Sequence, residues 1–192
     1  METRRVRRPV LQVTPMRKAY ILVRILLLCV LAGALPIEPA WGAKIKDDPN
    51  GFNGNTWGAD LAAYPSMKLV KDLGSTDFVE EAGVYMNSGE SLTLNEVSFT
   101  EIRYRFIDKQ LESIELKYEG RENRDKLMRW IEEQFGKLSS HERKMVMNVQ
   151  WFGEKTTITL SYNPNTKLGS LWFISQVLNH RFNEFLPTTQ GD

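Results

Sequence analysis

The alternation of apolar and charged residues is clearest over residues 97–119, where it predicts a β-hairpin. We place a three-residue loop at residues 108–110, one of the common hairpin lengths. A two-residue loop would set apolar side chains opposite charged ones, whereas the longer loop matches them. The matched pairs are Tyr104–Ile114, Ile102–Leu116, Arg103–Glu115 and Glu101–Lys117.

These pairs give the hairpin two different faces. The first two pairs are apolar and the last two are ion pairs that hold the register. One face of the hairpin is therefore predicted to be core and the other to be solvated.

A second hairpin is predicted over residues 145–162, with Gly153 and Glu154 as a two-residue turn. The pairs that follow from this turn are Trp151–Thr156, Val149–Ile158, Met147–Leu160 and Met145–Tyr162. A further strand is predicted at residues 169–174, and shorter strands at 67–71, 84–86 and 92–94.

Apolar residues at helical spacing predict two amphipathic helices. The first has Asn123 as its N-cap, Gly136 as its C-cap, and an apolar stripe of Leu127, Trp130, Ile131 and Phe135. The second covers residues 176–185, with Ser175 as cap, Pro187 as stop, and inward-facing Val177, Leu178, Phe182 and Phe185. The predicted class is α+β: an antiparallel β-sheet built from consecutive hairpins, packed on one face by the two helices.

The N-terminal 42 residues have the pattern of a secretory signal peptide. Arg17 and Lys18 precede an apolar run at 25–35, and Ala40 and Gly42 supply small residues before a predicted cut after Gly42. Met16 opens a shorter signal and is an alternative start. Retention as a membrane anchor is the alternative interpretation, but Arg24 leaves the apolar run short of the ~20 residues that a span requires. The predicted location is the periplasm or the exterior, and membrane contact occurs only through this segment if it is not removed.

Removal of this segment changes the charge of the chain. Of 25 basic and 24 acidic residues, seven basic and two acidic ones lie in residues 1–42, which leaves 18 basic, 22 acidic and a net charge of −4. The remaining 150 residues fit one domain and contain no cysteine, because Cys29 lies in the signal. Export and negative charge both oppose a nucleic-acid partner.

The domain organisation follows from these patterns: a signal peptide at 1–42, a flexible leader at 43–58, a single α+β domain at 59–186 and a tail at 187–192. The leader is rich in turns, and we expect its Phe52 and Trp57 to pack onto the core. After it, Asp60 is placed to cap a short helical turn at 61–64. The acidic and amide residues at 47–55 lack the ligand order of a calcium loop, so no calcium site is predicted there.

Part of the chain resembles a group of uncharacterised exported proteins of Gram-negative bacteria. The shared pattern is G-F-x-G-x-x-W-G (Gly51, Phe52, Gly54, Trp57 and Gly58), then Y-x-F-x-D-x-x-L (Tyr104, Phe106, Asp108 and Leu111), then W-F-G-x-K-T-x-I-x-L at 151–160. The resemblance covers most of residues 51–175. It implies a shared fold and export, and it brings no known activity and no site residues.

The chain offers few groups for catalysis or metal binding. His141 lies in a charged connector, and His180 has no acidic or cysteine partner at ligand spacing. Glu132 and Glu133 are helix neighbours that do not face each other, so we expect them to be solvated. Arg103 and Arg105 flank Tyr104, an arrangement that binds anions or bases, but the pairing of Arg103 with Glu115 is the favoured interpretation. The methionines and the four tryptophans after the signal are assigned to the core. We predict no catalytic, cofactor-binding or metal-binding residue, and no cofactor.

Two functions are consistent with these patterns. The first is a non-enzymatic interaction or accessory module of the cell envelope, with an unknown protein partner that docks on an apolar patch or sheet edge. The alternative is a small-ligand-binding protein or hydrolase with a cleft between sheet and helices, which requires convergent ionisable groups in that cleft.

Overall fold

The computed structural model describes residues 42–91, 93–145 and 147–182. The predicted signal peptide, except Gly42, and the predicted tail at 187–192 lie outside the described residues. So do the end of the predicted second helix at 185 and the side chain of His180.

Within these residues the chain forms eleven strands and two α-helices. The strands are β1 (Ala43–Lys44), β2 (Gly51–Phe52), β3 (Asn55–Thr56), β4 (Met67–Thr76), β5 (Val79–Asn87), β6 (Thr93–Leu94), β7 (Val97–Ile107), β8 (Gln110–Glu119), β9 (Asn148–Phe152), β10 (Thr156–Tyr162) and β11 (Leu168–Ser175). The helices are α1 (Arg121–Phe135) and α2 (Gln176–Phe182), and 3-10 turns occupy Leu61–Ala63 and Glu142–Lys144. Neither described helix combines the length and apolar character needed to span a bilayer.

One large sheet dominates the described fold. Its strand order is β1-β9-β10-β11-β8-β7-β5-β4, β6 pairs with β7, and β2 and β3 form a separate two-stranded ribbon. Every pair in the large sheet is antiparallel except β1 with β9. The predicted α+β class with an antiparallel sheet is therefore confirmed.

The central hairpin β7–β8 has the four predicted pairs but a different loop. Asp108 and Lys109 form a two-residue turn with φ of 46° and 63°, as a type I′ turn requires. The third residue that the prediction placed in the loop lies inside β8 instead, as a bulge. It is Glu112, which has no partner between the pairs Arg105–Ser113 and Phe106–Leu111. The prediction of a three-residue loop was wrong. One extra residue in the loop and one extra residue inside β8 have the same effect on the pairs farther from the turn, so side-chain matching cannot distinguish them.

Register divides the sheet into two faces. One row across the strands runs Tyr104, Ile114, Phe173, Ile158, Trp151, and the next runs Ile102, Leu116, Leu171, Leu160, Val149. All ten side chains are buried, and α1 covers this inner face with Leu127, Met128 and Ile131.

The β9–β10 hairpin is shifted by two residues from the prediction. Trp151 pairs with Ile158 and Val149 with Leu160, because the connection is longer than the expected Gly153-Glu154 turn. A shift of two keeps each strand residue on its predicted face, so alternation cannot detect it. Met147 precedes β9 and is 62% exposed, which corrects its assignment to the core.

The predicted flexible leader at 43–58 is instead bonded into the fold. Ala43 and Lys44 pair with β9, Ile45 is buried, and the Trp57 indole N–H donates to Thr156 Oγ1 at 2.7 Å. Phe52 and Trp57 pack against the core, as expected. The Asp48 carboxylate accepts the backbone N–H groups of Lys155 and Thr156 at 2.6 and 3.1 Å.

This Asp48 contact explains the longer connection between β9 and β10. A Cβ at position 153 would lie 2.3 Å from Asp48 Oδ1, so Gly153 leaves the room that the carboxylate occupies. The sequence showed a glycine suited to a tight turn, whereas the structure uses it for a close approach.

Helix and strand ends differ from the predictions in several places. Helix α1 begins directly after Gly120, which has a φ of 86°, so Asn123 is inside the helix and its amide donates to the Glu119 carbonyl. The caps at Asp60 and Ser175 are confirmed, since they accept the N–H groups of Ala62 and Leu178.

The β4–β5 hairpin is much longer than the short strands predicted. Strand β4 continues through Gly74 to Thr76, with three register shifts against β5. In α2, Val177 is 67% exposed and does not face the core. Glu132 is not simply solvated either, since it accepts the Leu138 N–H and pairs with Arg143 at 2.9 Å.

We predict that Asp48→Ala lowers the free energy of unfolding by about 1–3 kcal/mol, because two backbone donors lose their charged acceptor. Denaturant unfolding measures the change. The control is Glu133→Ala, an exposed carboxylate on α1, which should have little effect. Equal effects of the two substitutions would contradict the structural role assigned to Asp48.

Candidate functional site on the outer face of the sheet

The face of the sheet opposite α1, called here the outer face, carries aligned polar side chains. Register places one row as Arg103, Glu115, Trp172, Thr159, Gln150, and a second as Glu101, Lys117, Ser170, Ser161, Asn148. A third row begins at Lys71 on β4 and passes through Val84 to Arg105 and Ser113. The outer face therefore combines cations, carboxylates and one indole.

Arg105 is held in place by the bulge residue of β8. The Glu112 carboxylate is fully buried and accepts two bonds from the guanidinium, at 2.5 Å from Nε and 2.9 Å from Nη2. Such a bidentate pair fixes the plane of the guanidinium. The Arg105 Cζ atom also lies 5.4 Å from the centroid of the Trp172 ring, within cation–π range.

Arg103 and its neighbours form an ion-pair network, as the sequence predicted. Arg103 contacts Glu101 at 2.9 Å and Glu115 at 4.0 Å, and Lys117 contacts Glu101 at 3.3 Å. The register-holding pairs of the sequence prediction are thus present. The closer partner of Arg103, however, is Glu101 on its own strand.

The two carboxylates of this network differ in their electrostatic surroundings. Burial alone would raise the pKa of Glu101, but the Arg103 and Lys117 bonds bring that pKa below its ordinary value. Burial raises the pKa of Glu115, and the more distant Lys117 and Arg103 charges offset only part of this increase. Glu115 is therefore the carboxyl group whose ionisation the fold disfavours.

A groove with a volume of 290 Å³ opens between the edge hairpin and the centre of the outer face. Its lining consists of three cations, one carboxyl group and three apolar side chains: Lys71, Arg103, Arg105, Glu115, Leu73, Val84 and Trp172. A second groove of 340 Å³ shares Glu115 and extends past Lys117 and Ser170 toward Met147 and Leu168. The assignment of Trp172 to the core is thus corrected, because this indole lies on the opposite face.

Aromatic side chains pack between α1 and the centre of the inner face. The Phe52 and Phe173 rings stack at 3.9 Å, and Trp130 and Phe135 meet Phe173 edge-on at 6.4 and 6.0 Å. Around Phe173 this space holds aromatic rings.

Buried polar groups on the inner face serve the fold. The Tyr104 hydroxyl donates to the Glu90 carboxylate, and burial, aided by that bond, raises the pKa of Tyr104 so that the phenol stays neutral. Burial likewise raises the pKa of Tyr118, whose hydroxyl donates to the Ser161 carbonyl at 2.7 Å. These phenols act as hydrogen-bond donors rather than as bases.

The candidate residues of the sequence analysis are dispersed, except for the arginines. His141 is exposed beside the Glu142–Lys144 turn and lines neither groove of the outer face. No group of three or more histidine, cysteine, aspartate or glutamate side chains suited to a metal ion occurs among the described residues. Arg103 and Arg105 do line one groove.

Sequence reasoning missed Glu112 and Trp172. Glu112 was hidden by the loop assignment, although an acid in a strand of otherwise alternating character is a signal for a bulge or a buried pair. Trp172 stands between the apolar residues Leu171 and Phe173, so the sequence there has no alternation that would indicate its face. Only the pairing of β11 with β8 places it beside Arg103 and Arg105.

Comparison of the chain with protein-family models, with curated proteins and with solved structures finds no match.

We predict that Glu112→Ala lowers the free energy of unfolding by about 3–5 kcal/mol, because it leaves the Arg105 charge without its buried partner. The double variant Glu112→Leu with Arg105→Met should lose much less, since both charges are removed together. Denaturant unfolding of Glu112→Leu, Arg105→Met and the double variant gives the comparison. Additive losses would show that the pair is not coupled.

The raised pKa of Glu115 predicts a pH-dependent contribution to stability. Above the ordinary glutamate pKa the unfolded chain has released the Glu115 proton while the folded chain still holds it. The stability of the fold therefore falls as the pH rises through the folded-state pKa of Glu115. Glu115→Gln lacks the effect, and its stability relative to the parent chain should therefore be greater at pH 7 than at pH 4. Unfolding at both pH values tests this, with Glu101→Gln, which has a lowered pKa, expected to change in the opposite sense.

Proposed function

We propose that this protein is an exported, non-enzymatic interaction module of the cell envelope, located in the periplasm or secreted. The N-terminal charge and apolar pattern supports export, and the mature net charge of −4 opposes a nucleic-acid role. The packed inner face supports a binding role over catalysis in a cleft between sheet and helices.

The observation that carries the proposal is the exposed apolar surface of the edge hairpin. Leu69 and Val70 on β4 are 53% and 50% exposed, and Phe78 in the β4–β5 turn is 71% exposed. Strand β4 ends the order of the described sheet. Exposed apolar side chains along an edge hairpin are candidate contacts for a partner.

We infer that the partner is a protein with an apolar segment that packs on Leu69, Val70 and Phe78. The register shifts of β4 and the charged Lys68 and Lys71 interrupt its outer edge, features that oppose pairing of another strand along its whole length. Side-chain contact, rather than extension of the sheet, is therefore the proposed mode of binding.

The finer architecture predicted from sequence belongs to the same proposal: consecutive hairpins with two amphipathic helices over one face. The β4–β5, β7–β8 and β9–β10 pairings support the first part. The three buried side chains of α1 support the second part for that helix.

The proposal predicts a specific crosslink from position 78. A photoreactive residue replacing Phe78 should give a protein adduct in intact cells, and the same residue at Met147, which is 62% exposed at another part of the surface, should not. Leu69→Ser should reduce the adduct. The matched control Leu168→Ser, at the same 53% exposure, should leave it unchanged.

Equal adducts from positions 78 and 147, or no adduct from either, would overturn the proposal. N-terminal sequencing of the same preparation tests export and should begin at Ala43. A sequence beginning at Met1 or Met16 would contradict the predicted cleavage.

A further inference from the structure

The 290 Å³ groove of the outer face brings three cationic side chains to one place. Lys71 enters from the edge strand, and Arg103 and Arg105 enter from β7. Glu115 is the carboxyl group that lines the groove within the described residues, and Glu112 and Glu101 pair with Arg105 and Arg103 beside it. Lys71 forms no ion pair with any described residue, so it supplies the positive charge that these carboxylates leave unpaired. The volume lies near the lower end of the range for small-molecule sites.

Arg105 is preorganised for recognition. Glu112 takes two of the five N–H donors of the guanidinium and fixes its plane, while Trp172 lies against it. A side chain already held by packing and hydrogen bonds loses little conformational freedom when a ligand binds. Bidentate pairing with a buried acid thus serves the geometry of the groove as well as the register of the sheet.

Arg103 has an unsatisfied donor beside the same groove. Its Nε atom is buried and has no hydrogen-bond partner among the described residues, although its terminal nitrogens contact Glu101 and Glu115. A buried donor without an acceptor is costly. An anionic oxygen that contacts this guanidinium would add an acceptor where the structure shows a donor without one.

The apolar part of the groove defines the body of the ligand. Trp172 offers a flat ring, and Val84 and Leu73 add aliphatic surface. A flat or aromatic body packs on such a wall, and a carboxylate or phosphate is the group that clustered arginine and lysine side chains bind.

We propose that this groove binds a small organic anion, with a carboxylate or phosphate on a flat apolar body. The body lies against Trp172, and the anionic oxygens accept hydrogen bonds from Lys71 and Arg103. This site goes beyond the proposed protein contact and does not depend on it, because Leu69, Val70 and Phe78 do not line the groove.

Binding is tested with benzoate and phenyl phosphate as probes, and benzamide as the uncharged control. The protein is purified from cells that express the full chain, and the Trp172 indole N–H resonance is assigned by its loss in Trp172→Phe. Benzoate or phenyl phosphate should shift that resonance saturably, and benzamide should not. The stronger of the two anions identifies the carboxylate or the phosphate as the preferred group.

Two lysine variants on β4 separate site binding from general charge attraction. Lys71→Gln should lower the affinity for the anion by about fivefold or more, which corresponds to a loss of about 1 kcal/mol of charged hydrogen bonding. Lys68→Gln removes another exposed charge from the same strand, outside the groove, and should leave affinity unchanged.

No saturable shift with either anion, or the same affinity in both lysine variants, would overturn the assignment. Inorganic sulfate shifting the resonance as strongly as benzoate would overturn the proposed role of the flat body. The Phe78 crosslink, measured in Lys71→Gln, should persist, so that loss of anion binding alone is distinguished from failure of the protein-contact proposal.

Discussion

The arrangement of the outer face depends on a single extra residue in β8. Glu112 interrupts the pairing with β7, and its buried carboxylate holds the Arg105 guanidinium against Trp172. A buried acid is unfavourable unless it is paired and hydrogen-bonded, so the bulge and the arginine require each other. The same bulge lets a two-residue turn coexist with the apolar pairs of the inner face.

The turn at the end of this hairpin is bound from both sides. The Asp108 carboxylate accepts N–H groups from Glu80 and Glu81 of β5, and the Lys109 carbonyl accepts the Leu61 N–H. The turn, the bulge and the Arg105–Glu112 ion pair thus lie together at one end of the β7–β8 hairpin. The edge hairpin that carries the exposed apolar side chains is attached to this end, while its own outer strand remains irregular.

The sequence predicted most features that depend on side-chain alternation along a strand. It predicted few features that depend on contacts between residues distant in the chain. Pairs such as Tyr104 with Ile114 follow from matching apolar positions, because a mismatch of one residue would bury charge. The two-residue shift of β9 against β10 leaves the face of Trp151 unchanged, and its cause is Asp48, more than a hundred positions away. The outer groove was beyond sequence reasoning for the same reason: Lys71, Arg105 and Trp172 come from strands joined only by the tertiary pairing of β4, β5, β7, β8 and β11.

The parallel pairing of β1 with β9 has a kinetic consequence. Ala43 and Lys44 pair with Trp151 and Phe152, and the Asp48 contact with Thr156 spans 108 positions. Contacts this distant along the chain raise contact order and impose a loop-closure entropy before they return any stabilisation. Docking of the N-terminal segment on β9 and β10 is therefore expected to be a late folding event. A partly synthesised chain that has not reached β10 lacks the surface on which this segment docks.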